Sequence, residues 1–381
     1  MAMATTRFLS GAARGLQTLA DPTPMLAAAM LATGIAGGLL AASVALAAPG
    51  AAPLAEPLQR PAAVLRDPAR AALAGLARAG TRLVAVGERG VVLLSDDGGR
   101  QWRQAASVPV STGLTAVQFI DGRSGWATGH GGVVLHTDDA GEHWQLQLDG
   151  RAAARLVLAE AKAGGDERAI ADAERLVSEG ADKPLLALHF ADARRGYVAG
   201  AFGLFLETRD GGRSWQSVAG RLDNPKAAHL YALHAEGEQC WIAGEQGLLL
   251  HSADGGAHFA RIATPYAGSW FAMTRDAAGA WIVAGLRGNA WRSTDAGASW
   301  HRLDGGGAAG ITDALRDAAG DTWLLDQAGQ LLAVDGGALR PAVATPAQQP
   351  AALLHLDDGA WLVAGWNGIT RVAPTGTSTG R

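Results

Sequence analysis

The stretch Gly87–Trp102, GERGVVLLSDDGGRQW, decides the fold because the chain repeats it. Copies run at Gly129–Trp144 (GHGGVVLHTDDAGEHW), Gly200–Trp215 (GAFGLFLETRDGGRSW), Gly244–Phe259 (GEQGLLLHSADGGAHF) and Gly285–Trp300 (GLRGNAWRSTDAGASW). A worn copy, DQAGQLLAVDGGALR, starts at Asp326, and a short one, GWNGITRV, starts at Gly365. Successive starts lie 42, 71, 44, 41, 41 and 39 residues apart. A period of about 40 residues with four strand signals is a β-propeller blade. The sequence therefore predicts an all-β protein, a seven-bladed β-propeller, with a two-helix insertion after the second blade where the step lengthens.

Each copy follows the same physical logic. An apolar run such as Leu83–Val86 or Trp241–Ala243 reads as a strand. The G-x-x-G step that follows is a tight reversal, where glycine permits positive φ and close backbone approach. A second strand leads to the turn S/T-x-D-x-G-x-x-W, the Asp-box. Asp97, Asp139, Asp210, Asp254 and Asp295 are placed to accept hydrogen bonds from turn backbone N–H groups. Trp102, Trp144, Trp215 and Trp300, with Phe259, cover the turn and pack between sheets. These acids serve the turn, and so are not catalytic candidates.

Composition narrows the function. Hydrophobic residues make up 48% of the 381, enough for a large core. A net charge of −4 argues against bulk nucleic-acid binding. The single cysteine, Cys240, excludes an intramolecular disulfide and reads as a small core residue. The histidines are scattered, with no H-E-x-x-H and no cysteine partners, so neither a metal nor another cofactor is expected.

The N-terminus is read apart from the fold. Arg7 and Arg14 precede an apolar run, Met25–Leu46, and Ala45-Leu46-Ala47 is a small-x-small cleavage site. Residues 1–47 thus read as a secretory signal peptide, or as an uncleaved membrane anchor. In either case the expectation is an exported, periplasmic or lumen-like domain. Residues 48–68 form a Pro/Ala-rich linker, and the propeller occupies 69–381. The last copy lacks a Trp-led fourth strand, and Ala62–Leu65 is expected to supply it and close the ring.

The insertion spans 151–182. Its segments Arg151–Ala163 and Asp166–Glu179 are rich in Ala, Glu, Arg and Leu, with Gly164-Gly165 between them and Gly180 as a stop. Ile170, Ala173 and Val177 recur at helical spacing, so one face is buried. Either it packs on the propeller's own edge, or it is a docking arm exposing Arg151, Arg155, Arg168 and Arg175.

Functional side chains are sought in the G-x-x-G loops, whose two middle residues vary while the frame stays. Equivalent turns of a propeller gather on one face around the channel. The candidate partner-binding residues are Glu88, Arg89, His130, Phe202, Glu245, Gln246, Arg287, Trp366 and Asn367. Aromatics with arginine are an interface composition; ordinary solvated turns would also carry Glu and Arg. A carbohydrate-active reading requires facing carboxylates as a sialidase-like hydrolase, or an aromatic platform in a deep groove as a glycan-binding module. Glu88 and Glu245 hold equivalent positions in different blades.

With a secretion signal and repeated VGxxGxxLxSxDGGxxW, the chain resembles the photosystem II stability/assembly factor family of Asp-box (BNR-type) propellers. LVAVGERGVVLLSDDGGRQW (Leu83–Trp102) and YVAGAFGLFLETRDGGRSW (Tyr197–Trp215) carry the resemblance. It implies a non-enzymatic protein that binds partners through one basic propeller face and helps membrane-protein subunits assemble. The helical insertion and the scarcity of face arginines, essentially Arg89 and Arg287, depart from the photosynthetic pattern; the Ala-rich insertion, Ala-Asp-Lys-Pro at 181–184 and the stretch Phe190–Gly196 resemble the non-photosynthetic bacterial branch. Members of that branch accompany membrane exporters. The implied partner is a membrane protein complex, an exporter or a photosystem-like subunit, engaged by a monomer.

Overall fold

The computed structural model describes residues 56–373. The segment read as signal or anchor, 1–47, lies outside the described residues. Seven antiparallel sheets follow one another along the chain. In the first blade the strands are Leu73–Ala79, Arg82–Gly87, Val92–Ser95 and Arg103–Gln104, paired in that order. The next five blades repeat this four-stranded meander, starting at Leu114, Leu185, Leu230, Trp270 and Ile311. The seventh has three strands, Pro350–His355, Trp361–Gly365 and Gly368–Val372. Each second strand is buried on both faces, as in Gly125–Gly129 and Trp281–Gly285. This explains why these strands read as unbroken apolar runs rather than alternating ones.

Large side chains fill the wedges between blades. Trp126 of blade two stacks on Phe190 of blade three with centroids 3.7 Å apart. Trp241 meets Trp281 at 4.8 Å, and Trp323 meets Trp361 at 4.8 Å. The Asp-box tryptophans add to this: Trp144 packs with Leu94 of blade one, and Trp102 with Leu362 of blade seven. Cys240 is buried in the core, as expected.

The ring closes by side-chain packing, which corrects the expected strand exchange. Residues 62–65 form no strand and do not join blade seven. Their polar groups are taken by blade one instead. Ala62 N–H donates to the Val108 carbonyl (3.0 Å) and Ala63 N–H to the Arg89 carbonyl (3.2 Å). The Gln104 amide clamps the segment from both sides, accepting from Leu65 N–H and donating to the Ala63 carbonyl, each at 2.8 Å. Closure falls to Ala71, Leu73, Ala85 and Leu93 of the first blade's side packed on Ala352 and Ala364 of the seventh.

The insertion forms two helices, α1 (Gly150–Gly164) and α2 (Glu167–Glu179). Asp149 and Asp166 cap them by accepting from Ala152 and Ala169 N–H, both at 2.8 Å. The buried face lies on the propeller's own edge. Ala153, Leu156, Val157 and Leu176 join Leu204 and Trp215 of blade three. Glu160 fastens α1 there, accepting from Ser217 Oγ (2.5 Å) and Gly220 N–H (3.0 Å). Of the expected stripe, Ala173 is buried, while Val177 is 39% exposed.

Candidate functional site: the G-x-x-G face

Seven reversals join second to third strands, so all seven lie at the same end of the propeller. Five share one frame. In blade one Gly87 N–H donates to the Val91 carbonyl (3.0 Å), and Glu88 N–H reaches back to Ala72 (2.9 Å). Gly129, Gly200, Gly244 and Gly285 make the equivalent first bond. The first glycine is extended rather than left-handed, with φ −171° at Gly87. It is needed for close approach, because a Cβ there would sit 2.1 Å from the Ala72 carbonyl oxygen. The worn sixth copy has Asp326 in its place, and that carboxylate ties the turn itself, accepting from Ala328 and Gln330 N–H at 2.9 Å.

The variable residues stand where the left-handed region begins. Arg89, Phe202, Gln246 and Arg287 adopt φ of 54°, 55°, 54° and 58°. None of them carries the local propensity that Gly or Asn would bring. Strain of this kind clusters at functional surfaces. Glu88, Arg89, His130, Phe202, Gln246, Arg287, Trp366 and Asn367 are all exposed, and Glu245 is half-buried. Phe202 is 56% exposed and Trp366 64%.

The structure brings some of these residues into local clusters. The Phe202 ring packs against His229 (4.9 Å) and carries the Lys183 ammonium 5.0 Å above its centroid. His229 continues to Tyr231 (6.2 Å), and Tyr231 to Phe271 (5.2 Å). A half-exposed aromatic path thus leads from the loop tip of blade three onto the inner strands of blades four and five. Glu245 accepts from His229 N–H (3.3 Å), and Asn367 from Gln348 N–H (3.0 Å), so both serve their loops. Among the described residues, the Arg89 and Arg287 guanidiniums have no ion-pair partner.

Sequence reasoning missed what lies beside Phe202. A groove of about 500 Å³ runs between α2 and blade three, lined by Val157, Ala173, Leu176, Phe202 and Leu204. Arg175 and Lys183 stand on its rim, paired to Glu179. Helical spacing signalled an apolar face, but not that part of it would be left uncovered. The aromatic path had no signal either, since nothing in the repeat singles out His229, Tyr231 or Phe271.

At the opposite end the Asp-box carboxylates are occupied by their turns. In the first, Asp97 accepts from Ser95 Oγ and from Arg100 and Gln101 N–H, all at 2.9 Å. The Ser214 hydroxyl and N–H hold the Asp210 carboxyl down to about 2, and Ser299 does the same for Asp295. An acid held so far below neutrality is no proton donor at pH 7. Glu207 is fully buried; burial opposes its charge, but Arg209, Gln216 and Arg221 outweigh it and keep its pKa low. Inside the ring, a cavity of about 840 Å³ is lined in part by Gln118, His234, Glu236, Arg275 and Arg316. Burial lowers His234, and with the nearby His234 it lowers His189 to about 4, so both rings are neutral at pH 7. Among the described residues no cluster of His, Cys, Asp or Glu has metal-site geometry.

Residues 79–164 and 167–334 match the family model described as Photosynthesis system II assembly factor YCF48. The chain belongs to this family. Solved YCF48 structures show the same fold. YCF48 bound to D1 peptide is 17% identical, with a TM-score of 0.59, and the match covers 83% of this chain and 99% of that one. YCF48 from Cyanidioschyzon merolae is 16% identical, with a TM-score of 0.56, covering 80% of this chain and 97% of that one. The WD40 β-propeller domain of Doa1 is 11% identical, with a TM-score of 0.60, covering 84% and 97%. Identities this low carry the architecture alone. No match is found among curated proteins.

Proposed function

We propose that this YCF48-family propeller is an exported, non-enzymatic scaffold that binds a membrane protein complex, with exporter subunits as its partners, and helps assemble or stabilise it. The single observation that carries the reading is the G-x-x-G face. Arg89, Phe202 and Arg287 are held exposed in strained left-handed backbone on one rigid end of the ring. A solved YCF48 carries a D1 peptide, which supports a polypeptide as the class of partner. In this reading Phe202 and Trp366 supply apolar anchors, and Arg89 and Arg287 supply cations with no competing partner nearby. The groove beside α2 takes a further segment of the same complex.

The hydrolytic form of the carbohydrate-active alternative gains no support from geometry. Glu88 and Glu245 belong to blades one and four, with two blades between them around the ring. The Asp-box acids are committed to their turns. The proposal is tested by replacing Arg89 and Arg287 together with Ala. Pull-down of a membrane partner is expected to fall by roughly tenfold or more, as for loss of interface hot spots, with the melting temperature unchanged. Undiminished capture by that variant would remove the face from the account.

A further inference from the structure

The cavity inside the ring lies apart from the G-x-x-G face. It holds about 840 Å³. Glu236, Arg275 and Arg316 line it, each the last residue of the first strand of its blade, four, five or six. Those strands begin beside the G-x-x-G turns, Leu230 pairing with Gly244 and Trp270 with Gly285. The cavity therefore belongs to the other end of the channel. Gln118 of blade two also lines it, so it reaches across the axis. That amide is already spent on Phe190, accepting from its N–H (2.8 Å) and donating to its carbonyl (3.1 Å).

The charges on the wall do not cancel. The Arg275 guanidinium is taken by Glu236 at 2.7 Å and lies over the Trp281 ring, 5.4 Å from its centroid. The neighbouring acids are occupied too. Asp276 holds Arg292 at 2.6 Å. Asp317 accepts from its own turn, at Ala319 and Asp321 N–H, and from the Trp323 indole N–H at 2.9 Å. Arg316 is left over. Its Nη1 donates to the Asp276 carbonyl at 3.2 Å, and among the described residues it has no carboxylate partner. With the His234 ring neutral, the wall sets two arginines against one glutamate. Between these charges lie the Thr274 hydroxyl and an apolar surface from Met273, Ala314 and Leu315.

We propose that this cavity binds a small organic anion, a carboxylate or phosphate carried on an apolar body, with Arg316 as its anchor. A guanidinium without a competing acid presents a planar fork that matches either head group. Arg316 is exposed, so the head group reaches it from solvent. The apolar surface beside it takes the body of the ligand, and the volume is that of a small-molecule site. A lone surface arginine would be ordinary; the enclosing wall from blades two, four, five and six sets this one apart. An occupant touches several blades at once, and so stabilises the closed ring by mass action.

The test titrates the full chain calorimetrically with phenylacetate, with phenyl phosphate and with the uncharged phenylacetamide. Saturable one-to-one binding of at least one anion is expected, with none of the amide, and the tighter of the two names the head group. Arg316→Gln is expected to weaken binding by roughly tenfold or more, as for loss of a charge-assisted hydrogen bond. Arg302→Gln removes an exposed cation from the outer strand of blade five and is expected to leave binding unchanged. Melting temperatures without ligand, equal to that of the parent, are expected of both variants. Absence of saturable anion binding by the parent protein overturns the site, whatever the variants do. So do equal binding of the amide, undiminished binding by Arg316→Gln, and an equal loss in Arg302→Gln.

Discussion

At the scale of single residues, the left-handed tips separate local structure from display. Gln246 has φ 54° and an exposed side chain. A non-glycine residue held there costs about 1 kcal/mol relative to one that adopts the region freely. Gln246→Gly is therefore expected to raise stability by up to about 1 kcal/mol, read as a higher midpoint in denaturant; a lower midpoint would show that the side chain supports the fold. None of this strain was legible in the sequence, because Arg, Phe and Gln have no preference for positive φ. The Asp-box was legible, since serine or threonine, aspartate and glycine at fixed spacing each have one job in the turn. The neutral state of His189 came from tertiary burial, and no local signal announces it.

At the scale of elements, two contacts govern how the ring is finished. The first is the Gln104 clamp on residues 63–65. Gln104→Ala leaves two backbone groups seeking partners and is expected to cost about 1–2 kcal/mol. It is also expected to expose residues 57–66 to limited proteolysis, and unchanged protection would show that the segment is held by its apolar contacts. A short apolar run such as Ala62–Leu65 reads equally well as a strand of any neighbouring sheet, and a side-chain clamp has no periodic signature. That is why its destination was misread. The helices were legible from composition and their glycine stops, but not the groove beside Phe202, which depends on how far α2 stands from blade three. The second contact is Asp313, at an inner-strand position where the equivalents in register are Gly75, Ala116, Ala187, Ala232, Ala272 and Ala352. It accepts from Leu353 N–H (2.7 Å) and so links blade six to blade seven. Burial pushes its carboxyl up to about 6. The folded state then binds the proton more tightly than the unfolded chain. Stability from this group is full below about pH 4, falls as pH rises through 6, and is level above that. Asp313→Asn is expected to flatten that slope, by up to about 2 kcal/mol, in stability measured from pH 4 to 7. An unchanged slope would assign it to another group.

At the scale of the whole molecule, the two ends of the ring differ in what they expose. The Asp-box end is self-contained, its carboxylates bound to their own turns. The G-x-x-G end leaves Arg89 and Arg287 without ion-pair partners among the described residues and exposes Phe202, Leu286 and Trp366. Seven-fold repetition made the architecture legible, because every repeat restates the same strand and turn chemistry. The proposed function draws on the places where repetition breaks, the residues that vary inside a constant frame, and these point to a face rather than to a partner. The measurement that tests this division most directly is site-specific photo-crosslinking in native membranes, with a photoreactive residue at Phe202, Trp366 or, on the other end, His258. The account predicts adducts with a membrane protein subunit from positions 202 and 366 and none from 258. Adducts from 258 alone, or from none of the three, would contradict it.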